Sequence, residues 1–373
     1  MRWVITLILL ILILARPVAE AYKNRSSFFA PGFMSQFAQY ENAYFSSQYQ
    51  KKVNASPIPD ETFESYVGGA FLRGKNPILI VHEHPPMGRY IIALSILLFD
   101  NPKTLILPLL GFSLLGIFLI AKKILSDTLL SLLPLVVYAN EPFVMGKLQF
   151  APLLEPIQLP FIIFAIYFFI RGVSEKLYIR WFLLTSLMLG FVISIRFFIL
   201  GAILVLAMIA YLLLQKEKKR LWSFALFLPL SLVVLLCSYF RTIQDGYSIW
   251  QIFSVQKYIL FYHQSKLENL FTFWDLLLFN RWHAWWGERI VISDAQWIIA
   301  WPVAAFLTLG FVYLVMQKKV KAKAPAKIGL LWILSYCLLL SGGNSTTRYF
   351  LPLLPFLYIF ATASIVTMFG KKL

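Results

Sequence analysis

Ten stretches of this chain contain no Asp, Glu, Lys or Arg: 3–15, 104–121, 128–140, 156–170, 181–195, 197–214, 221–240, 295–317, 328–347 and 349–370. A helix needs about 20 apolar residues to cross a bilayer, and shorter runs are completed by their flanks or by tilting. Ten such runs in 373 residues leave little chain for anything else. The composition agrees, with 60% hydrophobic and 14% charged residues. Soluble domains carry about 25% charge, and one of this size could not hide so much apolar surface. The expected fold class is therefore an all-α polytopic membrane protein. A collagenous, disordered or disulfide-scaffold class is excluded.

Charge orients the runs. The net charge is +17, which in a soluble chain would suggest nucleic acid. In a membrane protein it reads as Lys and Arg retained on cytoplasmic segments, so no nucleic-acid partner is expected. With the N-terminus inside and 90–99 treated as an interfacial or re-entrant helix, six segments face the cytoplasm. They are Arg2, Lys122–Lys123, Arg171 to Arg180, Lys216 to Arg220, Lys318 to Lys327 and Lys371–Lys372. With Asp127, just after Lys123, they hold 17 basic and three acidic residues, against 17 basic and 14 acidic elsewhere. Counting 90–99 as a span would scatter the basic clusters over both sides. About ten transmembrane helices with both termini cytoplasmic are expected. Met1–Arg2, the run to Ala15 and Ala19-Glu20-Ala21 also fit a signal peptide, but the topology works with the segment retained.

Two long outer loops follow, 17–103 and 241–295, in one transmembrane domain over 1–373 with no soluble domain. They carry all four histidines and 12 of the 17 acids, so chemistry is expected on the extracytoplasmic side. Cys237 and Cys337 lie in apolar runs and read as small core residues. Lys318 to Lys327 is a basic connector. Asn24, Asn54 and Asn344 open N-x-S/T triplets.

The first loop is the richer in candidate groups. Pro57-x-Pro59 precedes Asp60-Glu61, which places two carboxylates at a helix N-terminus. One could cap the helix while the other faces a cleft, where a membrane-proximal carboxylate can act as general base toward a hydroxyl. The plainer reading is a capping pair. Next come His82-Glu83-His84-Pro85-Pro86-Met87-Gly88-Arg89. The double proline fixes an extended entry into the next helix. Amides and Arg89 at that helix start favour an anion such as phosphate, or Arg89 simply snorkels. His82 and Glu83 are candidate ligands of a divalent cation, the single cofactor to which these residues point.

An Asp-Glu pair followed by EHPPMGR and an apolar helix resembles the first outer loop of GT-C membrane glycosyltransferases. The nearest branch is that of protein O-mannosyltransferases and lipid A aminoarabinose transferases. Their usual text is His-Pro-Pro-Leu-Gly-Lys; Met87 and Arg89 stand here for Leu and Lys. Leu153-Leu154-Glu155-Pro156 is similar to the family's Leu-Asp motif. Tyr262-His263 through Trp282-His283-Ala284-Trp285-Trp286 loosely resembles its aromatic loop, and Arg348-Tyr349-Phe350-Leu351-Pro352-Leu353-Leu354-Pro355 its last span. The stretch before Asp60 is longer than in the family, and Glu41 within it is a rival acid.

The resemblance implies a GT-C fold and transfer of a sugar, mannose in the commonest case, from a polyprenyl-phosphate donor in membrane lipid. The acceptor is a protein, lipid or glycan hydroxyl, and the configuration inverts. Asp60 is the expected base and Glu61 its orienting neighbour. His84, Arg89, Arg196 and Arg348 are expected at the donor phosphate, the arginines because their fork binds two oxygens. Tyr66, Glu155, His263 and Trp285 are expected to contact substrate. Two other classes remain: a non-enzymatic flippase for lipid-linked sugars, which would line its spans with polar groups, and a polysaccharide polymerase or ligase, which would use basic outer loops.

Overall fold

The computed structural model describes residues 2–51, 53–81, 83–149, 151–196, 198–264, 270–283, 290–343 and 345–369, with the side chains of His263 and Gln264 left aside. The fold is helical throughout, apart from a two-stranded antiparallel ladder in which Trp282 lies opposite Ile292 and His283 opposite Val291. Each of the ten apolar runs coincides with a helix or a helix pair. Six helices are long and apolar enough to cross a membrane: Arg2–Lys23, Ile106–Leu125, Leu154–Ser174, Tyr178–Ile195, Lys218–Ser238 and Ala324–Ser341. Ile199–Leu214, Ala300–Met316 and Leu354–Met368 are shorter apolar helices at three further runs.

The remaining run is not the straight span expected. Thr128–Ala139 and Pro142–Gln149 are bent by 57° at a break. Pro142 supplies the cause: it has no N–H to give to the ladder, and its ring disfavours helix in the residue before it. That preceding residue is Glu141, fully buried, whose carboxylate accepts hydrogen bonds from Trp301 Nε1 at 3.2 Å and from the Tyr358 hydroxyl. Proline also marks the junction at Pro229 within Lys218–Ser238.

Leu154–Ser174 is the central helix, with 72% of its apolar window inside the protein. It packs against Tyr178–Ile195, Ile106–Leu125 and Ala324–Ser341. Arg2–Lys23 is the opposite case, with 11% of its window buried. Trp3, Leu7 and Ile11 lie on its bare surface, as suits a helix whose solvent is hydrocarbon.

The 17–103 loop folds as helices laid against one another. Asp60–Leu72 packs on Met87–Phe99, the short helix after the double proline. The long stretch before Asp60 is fastened to both. Asp100 accepts from the Gly32 and Met34 amides at 2.8 and 2.9 Å, and Asn101 Nδ2 donates to the Ser27 and Ala30 carbonyls at 2.9 Å. Aromatic stacking completes the joint, with ring centroids 5.6 Å apart for Phe37 and Tyr66, 4.4 Å for Tyr44 and Tyr66, and 4.2 Å for Tyr49 and Phe63.

Such close packing needs glycine at two adjacent positions. A Cβ on Gly68 would lie 2.7 Å from Ile92 Cγ2, and one on Gly69 would lie 2.5 Å from the Phe37 ring. Overpacking of this kind costs about 1–3 kcal/mol. Gly68→Val is expected to lower the unfolding temperature of the detergent-solubilised protein clearly. Gly111→Val, where a Cβ would meet nothing within 4 Å, is expected to change it far less.

Candidate active site

The Pro57-x-Pro59 turn delivers Asp60 as the first residue of the Asp60–Leu72 helix, with Pro59 extended at the N-cap and no side-chain cap bond. The capping role is therefore not what Asp60 does. Its Oδ2 accepts from Arg348 Nη1 at 2.9 Å, and its side chain is half exposed. Arg348 belongs to a short 3-10 turn, Thr347–Phe350. The same Nη1 lies 3.5 Å from Glu155 Oε1.

Glu155 sits in the first turn of the Leu154–Ser174 helix, where the backbone N–H groups favour negative charge. It is buried, at 7% exposure, so its charge must be matched close by. Arg196 supplies the second match, with Nη2 3.2 Å from Glu155 Oε1. Arg196 follows the last residue of the Tyr178–Ile195 helix, and its guanidinium lies 5.1 Å over the Tyr349 ring. A small cleft opens here, lined by Glu155, Gln158, Arg196, Tyr336, Arg348 and Tyr349 among others. Gln158 Nε2 is committed to the Val192 carbonyl at 2.8 Å and the Tyr336 hydroxyl to the Tyr349 carbonyl at 2.8 Å, so both walls are braced.

Four of the residues anticipated from sequence thus meet: Asp60, Glu155, Arg196 and Arg348. Others go elsewhere. Arg89 is buried and forks onto Glu64, one turn along the helix from Asp60, with Nε to Oε2 at 2.8 Å and Nη2 to Oε1 at 3.0 Å. Its third contact is the His84 carbonyl, 3.3 Å from Nη1. The fork that would grip a phosphate is already filled. Burial pushes the Glu64 carboxyl up to about 7, against the opposing pull of Arg89. His84 meets Arg89 through its backbone carbonyl. Tyr66 is buried in the stack with Phe37 and Tyr44, and so belongs to the core of the loop. Glu61 is turned from Asp60 and its charge acts on Lys103. Glu83 accepts a hydrogen bond from the Tyr262 hydroxyl.

His82, Trp285 and the side chain of His263 lie outside the described residues. Among the described residues no three His, Cys, Asp or Glu side chains converge to hold a metal ion. The positive surroundings of Glu155 do not suit a cation either.

Lys147 was not anticipated. It stands in the helix after the bend, and its charge acts on Glu155 together with those of Arg196 and Arg348. The signal was a single Lys in Pro142–Gln149, where an ionisable group near the membrane is costly without a function. Lys147, Arg196 and Arg348 thus surround Glu155 with positive charge.

Residues 83–240 match the protein family described as dolichyl-phosphate-mannose-protein mannosyltransferase. No curated protein matches the chain. Among solved structures, ArnT from Cupriavidus metallidurans bound to undecaprenyl phosphate is similar with a TM-score of 0.60 at 14% identity, covering 90% of this chain and 60% of that one. The apo state of the same protein gives 0.53 at 16% identity, covering 90% and 59%. The archaeal oligosaccharyltransferase AglB from Archaeoglobus fulgidus, in complex with an inhibitory peptide and a dolichol-phosphate, gives 0.56 at 11%, covering 91% and 50%. The chain thus spans half to three fifths of the length of these proteins. Its fold is that of the GT-C superfamily of membrane glycosyltransferases. Over residues 83–240, which include the double proline, its sequence resembles that mannosyltransferase family.

The Arg89–Glu64 pair can be tested apart from the cleft. Arg89→Ala strands a buried carboxyl and is expected to destabilise the protein by about 3–5 kcal/mol. Replacing both partners, as Glu64→Leu with Arg89→Met, is expected to cost much less in thermal unfolding.

Proposed function

We propose that this chain is an integral-membrane glycosyltransferase that moves a sugar from a polyprenyl-phosphate donor to an acceptor hydroxyl on the extracytoplasmic face, with inversion. The observation that carries the reading is the convergence of Arg196 and Arg348 on one buried carboxylate, with Asp60 on the same Arg348 nitrogen. The two arginines have the planar forks that suit a phosphate. Asp60 is half exposed, so an acceptor can reach it. The ArnT and AglB structures that share this fold hold undecaprenyl phosphate and dolichol-phosphate.

The chemistry follows from the geometry. Arg196 and Arg348 bind the donor phosphate, and Glu155 holds both guanidiniums at the cleft. The phosphate competes with Asp60 for Arg348, so donor binding releases the Asp60 carboxylate. Freed of the guanidinium, the Asp60 oxygen is open to the acceptor. It takes the proton of the acceptor hydroxyl as that oxygen attacks the anomeric carbon. The bond from that carbon to the phosphate oxygen breaks, and polyprenyl phosphate leaves with the electron pair. A phosphate is a stable anion and needs positive charge, not an acid, to depart. No metal ion is required for these steps.

Radiolabelled polyprenyl-phosphate sugars supplied to membranes test the reading. Wild type is expected to transfer label from one of them, and Asp60→Asn to lose about 100-fold or more of that rate at equal expression. Arg348→Ala is expected to raise the KM for the donor. Equal transfer by wild type and Asp60→Asn would remove Asp60 as base. Movement of labelled lipid across the bilayer without transfer to any acceptor would favour a flippase.

A further inference from the structure

Arg348 carries two of the contacts in the cleft, yet it sits on a turn of four residues that has no side-chain cap of its own. Something else must hold the turn in place. Phe350 anchors its far end, stacked 5.2 Å from Phe273 and 5.0 Å from Trp301. At the near end, next to the arginine, the Thr347 hydroxyl donates to Asp294 Oδ2 at 2.8 Å. Thr347 is buried and Asp294 half-buried, so this bond to a carboxylate is partly withdrawn from water.

Asp294 is itself fixed before it meets Thr347. Its amide donates to Asn280 Oδ1 at 2.8 Å, and its Oδ1 accepts from the Gln296 amide at 2.8 Å. Asn280 adopts the left-handed conformation, at φ 54°, that ends the Thr272–Phe279 helix. Gln296 in turn lies over Gly146, where a Cβ would stand 2.2 Å from Gln296 Nε2. The loop that carries Asp294 is therefore seated beside Lys147 and against the turn of Arg348 at once.

We propose that Asp294 is the positioning residue of the cleft: through Thr347 Oγ1 it sets the direction in which Arg348 presents its guanidinium to the donor phosphate. The proposal rests on the cleft being the donor-phosphate site. It gives the 241–295 loop a part in the reaction other than contact with substrate. The part is specific to the hydroxyl of Thr347, because Val has the same shape and cannot donate.

The test uses the full chain in detergent and undecaprenyl phosphate as the probe, with binding and unfolding temperature measured on each variant. Thr347→Val and Asp294→Ala are each expected to weaken undecaprenyl phosphate binding about tenfold, the effect of losing one hydrogen bond to a charged group. Combining them is expected to cost no more than either alone, because both remove one bond. Thr347→Ser, which keeps the hydroxyl, is expected to bind like wild type, and Thr347→Val to remain folded, with a modestly lowered unfolding temperature, at the temperature of the binding measurement. Arg348→Ala is the reference for loss of the site. If Thr347→Val binds like wild type while Arg348→Ala does not, the proposal is overturned and the donor reading stands. Equal loss in Thr347→Ser and Thr347→Val would also overturn it, since packing and not the hydroxyl would then matter. If Arg348→Ala itself binds like wild type, the donor reading falls and takes the proposal with it.

Discussion

A carboxylate buried in a membrane protein has to be paid for by its neighbours, and Glu155 is the group around which this cleft is arranged. Removing an ionised carboxylate from water costs several kcal/mol unless opposite charges and hydrogen bonds stand close. Arg196 and Arg348 meet that demand from two separate elements, the end of Tyr178–Ile195 and the turn Thr347–Phe350. Asp60 then comes to Arg348 from a third. Ends of helices distant in sequence are thereby brought to one point. The same groups that satisfy Glu155 are the ones able to bind an anion, so the electrostatics of the fold and of the site are one problem.

The loop that brings Asp60 there is built as a small core of its own. Stacked Tyr and Phe rings, two adjacent glycines and the Arg89–Glu64 fork hold Asp60–Leu72 against its neighbours. Asp60, the first residue of this helix, thereby inherits the rigidity of the packing behind it, as the role proposed for it requires.

Much of this was legible before any coordinates. Apolar runs and the sidedness of Lys and Arg mark helices because the bilayer imposes length and charge rules on each segment separately. Asp60, Glu155, Arg196 and Arg348 were legible because each adjoins a helix end, where charge in a membrane protein collects. Arg89 was not, because its partner Glu64 lies 25 residues away on another helix, and local text cannot show that a fork is already filled. Tyr66 looked like a substrate contact and is a stacking residue, since nothing in the sequence told that the long stretch before Asp60 would fold back over it. Lys147 was missed because it lies between two runs, in a helix that the bend at Pro142 turns out of line. Straight spans are easy to count and bent ones easy to misread.

The sharing of one Arg348 nitrogen between Asp60 and Glu155 also bears on the timing of encounters at the cleft. In the proposed reaction the donor phosphate takes Arg348 from Asp60, and until then the Asp60 oxygen is occupied by the guanidinium. Such a reaction would run in the order donor, then acceptor, and Asp60 would return to Arg348 once the lipid phosphate departs.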